Sequence, residues 1–446
     1  MRMRNHLNGL IIFGAILLVG LTSNTQATAA EWQAGFAKVV ITPDEPMWLS
    51  GYGARSKPSE GKIHDLYAKA AVLRDPSGAT VVFVSTDLIG VPATMAKFVS
   101  AAVAKQHGIP RANIMLTCSH THCGPAMDDM LSHMLAMKES DWVLVRKNQV
   151  QLNAKVIAVV ASAIGDLKPA KLSVGNGKTG FAVNRRKPIG EGPVDHDVPV
   201  LRVTSLDGKT LRGVVFGYAC HNTNLSFYQW FGDYAGLAMI ALEERHPDAV
   251  ALFYTGCGAD QNPLPRRKME LAVKYGRMLA VAVDEVMAGA MKPVTGSLGV
   301  SMTHVDLTFD ALPTKAEVEE QLKTGSRYVQ ARAKLLLAEY AANGKLRATY
   351  PYPVQVWQLG NEITWVALGG EIVVDYSLRL KKELGRDRTW VTGYANDVMA
   401  YIPSERVLKE GGYEGGTSMV YYQLPSKWKA GLENQIVKAV RKLAGK

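Results

Sequence analysis

Three stretches limit the fold more than anything else in the chain: NIMLTCS from residue 113, GVVFGYAC from 213 and AVALFYTG from 249. Each is apolar almost without a break, yet far short of the ~20 residues that cross a bilayer. Runs of this kind are strands covered on both faces, so the chain must supply layers above and below its sheet. The covering layers are legible too. YAGLAMIALEERH follows the second run and RKMELAVKYGRMLAVAVDEVMAG the third, both patterned as helices. ATMAKFVSAAVAKQHG is an amphipathic helix with a glycine stop, and residues 140–166 and about 314–341 read as long helices. AKAAVLRD and TVVFVSTDL pair through the turn PSGA, and PYPVQVWQLG and ITWVALGG form a hairpin around Asn361 and Glu362. DYSLRLKKELG, TWVTGY and a terminal helix from Trp428 close the chain. Interleaved strands and helices, with no repeat and no Pro/Ser/Gly-rich linker, predict one large α/β domain. Its core is a mixed sheet covered by helices.

The 446 residues, 47% hydrophobic and 20% charged, are an ordinary globular composition. The first thirty are not. A basic start, MRMRNH, precedes the apolar LNGLIIFGAILLVGL, and Ala27-Thr28-Ala29 fits the small-x-small pattern of a cleavage site. Residues 1–29 are therefore expected to be a signal peptide, the mature domain to span 30–446, and the protein to be exported to a periplasmic or extracellular space. The net charge of +11 comes from scattered lysines and arginines with short clusters such as Arg185-Arg186-Lys187 and Arg266-Arg267-Lys268. No nucleic-acid module accompanies them, which excludes that class of partner; peripheral contact with a membrane surface is compatible with a basic face. The four cysteines, Cys118, Cys123, Cys220 and Cys257, are too few to be a disulfide framework. Pairing of Cys118 or Cys123 with Cys220 or Cys257, and four buried thiols, both stand open.

Polar residues fall in a regular place. Asp87, His120, His122, His221, Asp260 and Glu371 each lie just past an apolar strand-like run. Ligands collect at the carboxyl ends of strands in open α/β sheets, so these positions are expected to converge there. In MLTCSHTHCGPAM, His120 and His122 are two apart and face the same side of an extended segment. Neutral imidazoles are common zinc ligands, and a hydrogen-bonded pair at a strand end is the plainer alternative. His221, Glu371 and Tyr401 each have plainer readings as well: a structural histidine, a helix-start carboxylate and a buried phenol.

Read in order, these motifs resemble the catalytic domain of the neutral (non-lysosomal) ceramidase family. The resemblance runs from about Phe36 to Met419. It is carried by GFAKVVITP, SGYG, VFVSTDLIG, CSHTHCGP, VNRR, ACHNTN, GCGADQNP, GGEIVV and NDVMAYIPSERVLKEGGYEGG. It implies a single zinc held by His120, His221, Glu371 and Tyr401, with His122 and Tyr413 as further site residues. It implies hydrolysis of an N-acyl amide bond, with ceramide-like N-acyl sphingoid lipids as substrate. Bound zinc activates water for attack on a carbonyl, a nearby donor (His122 or Tyr413) stabilises the oxyanion, and an acid protonates the leaving amine. His122 is the candidate for that proton work. Arg185 is the candidate for orienting a polar substrate group, a surface salt bridge being its alternative. Asp87 and Asp260 are candidates for holding the histidine rings or, equally, for capping helices.

The match departs from the family in three places. Asn262 stands where the family has serine, so a serine-dependent role is lost while activation of water by zinc survives. Cys123 replaces the signature serine. The chain also ends soon after the late tyrosine motif, where the family typically continues into a β-sandwich domain, and this weakens the inference to ceramide itself. Two other functions stay in view: a zinc hydrolase of another acyl amide or ester, such as an N-acetyl sugar or peptide-like amide, and a noncatalytic exported metal-binding protein.

Overall fold

The computed structural model describes residue 1 and residues 31–446, so the expected leader lies outside the described residues. The predicted apolar runs form Ile114–Cys118, Leu211–Tyr218 and Val250–Thr255, buried throughout except at Leu211, Arg212 and Val250. They belong to one mixed sheet. Its strand order is Ile114–Cys118, Thr80–Thr86, Tyr67–Arg74, Gln33–Val40, Lys168–Lys178, Asp197–Ser205, Leu211–Tyr218, Val250–Thr255. The middle pairs are antiparallel, and the pair at each end is parallel.

The two end strands of that order do not diverge. Thr255 Oγ1 donates to the Cys118 carbonyl at 2.9 Å, and Ser85 Oγ donates to the Phe253 carbonyl. The sheet therefore coils until its edges face each other, in the direction that the right-handed strand twist favours. One step further along the chain, Thr121 and Asn222 form an isolated parallel bridge. The segment leaving the edge strand Ile114–Cys118 thus runs beside the one leaving Leu211–Tyr218, the neighbour of the opposite edge.

A second, four-stranded sheet (Leu298–Thr308, Thr349–Leu359, Ile363–Leu368, Thr389–Thr392) packs across one face of the first. Trp357, Trp365 and Trp390 from this sheet share a buried cluster with Phe83, Leu252 and Tyr254 from the other. The expected hairpin around Asn361 and Glu362 is the antiparallel pair Thr349–Leu359 and Ile363–Leu368. Helices Asp233–Arg245 and Met269–Ala288 cover the far face through a core that includes Phe216, Tyr234 and Leu279. Residues 31–446 make up one compact unit with helices over mixed sheets, as the pattern predicts. Two details differ from expectation. The long helix expected over about 314–341 is two helices, Lys315–Thr324 and Arg327–Asn343, because Gly325 is extended and Thr314 starts the first with a capping box. The terminal helix is Leu432–Leu443, starting after Gly431 rather than at Trp428. Among the described residues, no helix is long and apolar enough to cross a membrane.

Candidate metal centre

His120 follows the edge strand Ile114–Cys118 and His221 follows Leu211–Tyr218, the strand next to the opposite edge; their ring centroids are 4.8 Å apart. His120 adopts φ 59°, a left-handed conformation that costs a non-glycine residue roughly 1–3 kcal/mol and clusters at functional sites. Its Nδ1 lies 2.6 Å from the Ile89 carbonyl oxygen, and His221 Nδ1 lies 2.7 Å from that of Gly258. A carbonyl only accepts, so each Nδ1 carries the ring proton and each Nε2 presents a lone pair.

The carboxylate arrives from the second sheet. After Ile363–Leu368 the chain turns at Gly369 and Gly370, and the short strand Glu371–Ile372 pairs in parallel with Tyr401–Ile402, setting Glu371 directly opposite Tyr401. Gly370 makes the turn at φ 71°, and a Cβ there would lie 2.5 Å from Ile402 Cγ1 and 2.8 Å from the Ala400 carbonyl. Glu371 Oε2 lies 3.4 Å from His120 Nε2 and 3.2 Å from His221 Nε2, and Tyr401 Oη is 3.4 Å from His221 Nε2. All four side chains are buried. Glu371 Oε2 has no hydrogen-bond donor. Glu371 Oε2 therefore faces two imidazole nitrogens with no donor of its own, an arrangement that a cation between them would relieve. Two imidazole nitrogens, a carboxylate oxygen and a phenol oxygen are a donor set suited to zinc. The residues fit the ion.

His120, His122 and His221 also offer ring nitrogens within 4.8 Å of one another, with His122 Nε2 3.2 Å from His120 Nε2. His122 differs from the other two, because its Nδ1 is buried with no acceptor to fix the tautomer. Its ring faces the cavity above the centre, about 300 Å³ in volume and walled by Tyr52, Tyr401, Tyr413, Tyr422 and Glu371. Burial, with His120 and His221 adding to it, holds His122 well below the usual histidine range, so the imidazole is neutral. Burial and the Arg185 charge push His221 down to about 4.

Arg185 reaches inward. Its Nε donates to Glu414 Oε1 at 2.8 Å and its Nη2 to Tyr401 Oη at 3.0 Å, while Nη1 lies 3.4 Å from His221 Nε2 and 3.5 Å from Asn262 Oδ1. Arg185 is partly buried, and it both pairs with Glu414 and clamps the phenol. Asn262 is thus beside the centre, where the family resemblance puts a serine. Tyr413 borders the cavity, edge-on to Tyr401 with centroids 5.1 Å apart.

Asp87 and Asp260 do not hold the histidine rings. Backbone carbonyls do that, leaving Asp87 Oδ2 to accept from Tyr67 N and Asp260 to cap the helix Val374–Leu384 through Val374 N, at 2.9 Å each. The alternative reading, helix capping, holds for Asp260. The four cysteines are free and buried, and burial raises every thiol, Cys123 to about 12.

Three contributors were not singled out from the sequence. Tyr422 donates to Glu371 Oε1, and Glu414 anchors Arg185. Buried Arg55 donates to the His122 carbonyl at 2.6 Å. The only sequence signal was for Glu414, which follows Tyr413 in GGYEGG.

Residues 32–256, half of the chain, match the family model described as neutral/alkaline non-lysosomal ceramidase, N-terminal. The match includes His120, His122, Arg185 and His221. Among solved structures, the neutral ceramidase from Pseudomonas aeruginosa is similar at 20% identity, with a TM-score of 0.70 over 93% of this chain and 75% of that one. A structure described as ceramidase complexed with C2 is similar at 19% identity, with a TM-score of 0.71 over 93% of this chain and 76% of that one. At these identities the likeness establishes a shared fold.

Proposed function

The chain belongs to the neutral/alkaline non-lysosomal ceramidase family, whose members hydrolyse amide bonds, and from that premise we propose a zinc-dependent hydrolase of N-acyl amides with ceramide-like lipids as substrate. The observation that carries the reading is Glu371 Oε2, buried without a donor between His120 Nε2 and His221 Nε2 on the floor of a cavity. His120, His221, Glu371 and Tyr401 would hold the ion. When bound, zinc supplies a Lewis acid that polarises a carbonyl and activates water near neutral pH.

The protein's own groups account for the rest. Ile89 and Gly258 carbonyls fix the tautomers of His120 and His221, so the same nitrogen of each faces the centre. Arg185 holds the Tyr401 oxygen in place, and Glu414 holds Arg185. Hydrolysis leaves a water oxygen on the acyl carbon and a proton on the departing nitrogen. His122, neutral and facing the cavity, takes the proton from water at a ring nitrogen and delivers it to the amine. Tyr413 O–H donates to the oxygen on which negative charge develops. A phenol is protonated near neutral pH and so able to donate. None of this chemistry requires a serine at the position of Asn262.

The test is chelation followed by titration with zinc, reading release of fatty acid from a short-chain N-acyl sphingoid base beside matched esters and N-acetyl sugars. Amide turnover that disappears with chelation and returns at one zinc per chain is the expected result. Full turnover without metal, or turnover of the esters or sugars alone, would overturn the reading.

A further inference from the structure

Two arginines stand at the mouth of the cavity with no carboxylate to balance them. The guanidinium of Arg267 lies 5.0 Å over the ring of Tyr52, and its Nη1 donates to Tyr52 Oη at 2.9 Å. That of Arg327 lies 4.6 Å over the ring of Tyr328, and its Nη2 donates to Tyr328 Oη at 2.7 Å and to the carbonyl of Gly53. Tyr52, Gly53 and Tyr328 all line the cavity, and the Tyr52 ring is 4.7 Å from that of His122. Both arginines are exposed. Lys57 pairs with Glu60, and Arg185 and Arg186 pair with Glu414, while Arg55, over the same Tyr52 ring, donates to the Phe227 and His122 carbonyls. Among the described residues, no ion pair involves Arg266, Arg267, Lys268 or Arg327. Tyr52 does not supply the missing charge, because burial pushes its phenol up to about 12 and keeps it neutral.

The backbone presents this charge at a cost. Arg267 has φ 81°, a region that non-glycine residues rarely adopt, and its N–H is tied to the Asn224 carbonyl at 2.7 Å. Arg327 is the first residue of the Arg327–Asn343 helix, whose first turn holds no acidic residue and whose Ser326 side chain makes no cap. A cation there opposes the helix dipole, and the positive end of the dipole adds to the field at the mouth. Two guanidiniums and the start of a helix thus put positive charge on one rim, which favours an anionic group.

We propose that this rim receives an anionic group, a phosphate, sulfate or carboxylate, at the outer end of the acyl-amide substrate. The inference rests on the amide-hydrolase reading above and narrows its substrate class. The two guanidiniums supply charge-assisted hydrogen bonds that fix how far the substrate enters, and their field raises the encounter rate of anions.

The experiment compares N-hexanoyl sphingosine with its 1-phosphate, both below their aggregation concentration, by kcat/KM and by equilibrium binding. The expected result is a preference of about five-fold or more for the phosphate, shrinking as salt is raised to about 0.5 M. In Arg267→Gly/Arg327→Ala the ratio falls to about one. Glycine accepts the backbone at 267 without strain, so this variant removes charge without removing a favoured conformation. Arg267→Lys/Arg327→Lys keeps the charge and retains a preference. Equal values for the two compounds in the wild-type protein, or a preference that survives loss of both arginines, overturn the inference while leaving amide hydrolysis standing. A preference that appears only when anionic vesicles are added also overturns it, because the rim would then contact a lipid surface rather than the substrate. If neither compound is hydrolysed the amide-hydrolase reading fails, and the binding ratio still decides the fate of the rim.

Discussion

A histidine whose Nδ1 is bound to a carbonyl has one nitrogen left to give, and His120 and His221 both give it to the same point. His120→Ala and His221→Ala each remove a donor that no neighbour replaces, so elemental analysis of either variant is expected to show zinc largely lost and hydrolysis abolished. A full complement of zinc in either would remove that residue from the centre. Tyr422 acts through Glu371 by holding its second oxygen. Tyr422→Phe is expected to weaken zinc binding by about 10–100-fold while leaving the fold intact, read from competition with a chelator. At this scale the sequence disclosed the residues that sit in motifs. H-x-H and the two later strand ends were legible because polar side chains interrupt apolar runs. Tyr422, Arg55 and the carbonyls of Ile89 and Gly258 were not. A tyrosine or arginine far along the chain has no local signature, and a carbonyl has no residue identity at all.

At the scale of elements, the centre depends on one turn. Gly370 leaves the Ile363–Leu368 strand at φ 71° with Ile402 and Ala400 against it, and this delivers Glu371 into register with Tyr401. Gly370→Ala would have to adopt a left-handed backbone and displace Ile402, at a cost of about 1–3 kcal/mol. We expect a lower melting temperature together with weaker zinc binding, since the Glu371–Tyr401 bridge must open to make room. A variant that melts lower yet titrates with zinc like the wild-type protein would show that the bridge is not what positions the carboxylate. The strands and most helices were legible from period and from apolar continuity. The break at Gly325, which splits the long helix, was outweighed by the apolar spacing on either side of it. The two-residue strand Glu371–Ile372 is too short to carry any period.

For the whole molecule, burial sets a dependence on pH that is separate from the centre. Burial pushes the Asp397 carboxyl up to about 7, with nearby Asp129 adding to the rise and donors from Tyr350 and Ala93 opposing it. Tyr350 Oη donates to Asp397 Oδ2 at 2.7 Å. An unfolded aspartate titrates near ~3.9, so the folded state binds this proton more tightly. Its contribution to stability is complete below the unfolded value and is lost as pH rises through about 7. Asp260, raised to about 6 by burial, acts in the same direction. Against its burial, Glu414 is held low by the Arg185 charge, and it acts in the opposite one. Comparing Asp397→Asn with the wild-type protein isolates one group: the variant is expected to lose less stability between pH 5 and 8 in urea melts. Parallel curves would show that Asp397 ionises in the folded state as it does in solution.

By itself the sequence determined that strands must be covered on both faces, that polar residues end those strands, and that the set includes imidazoles and a carboxylate. These follow from side-chain periodicity and hydrophobicity, which act over a few residues and are written into every segment. Only the tertiary structure decided that the two edge strands meet, because coiling of the sheet sums small twists over eight strands and no single segment encodes it. That closure also lays the segment after Ile114–Cys118 beside the one after Leu211–Tyr218, the strand next to the far edge, and so brings His120 to His221. The second sheet, packed on its tryptophans, then carries Glu371 to both of them.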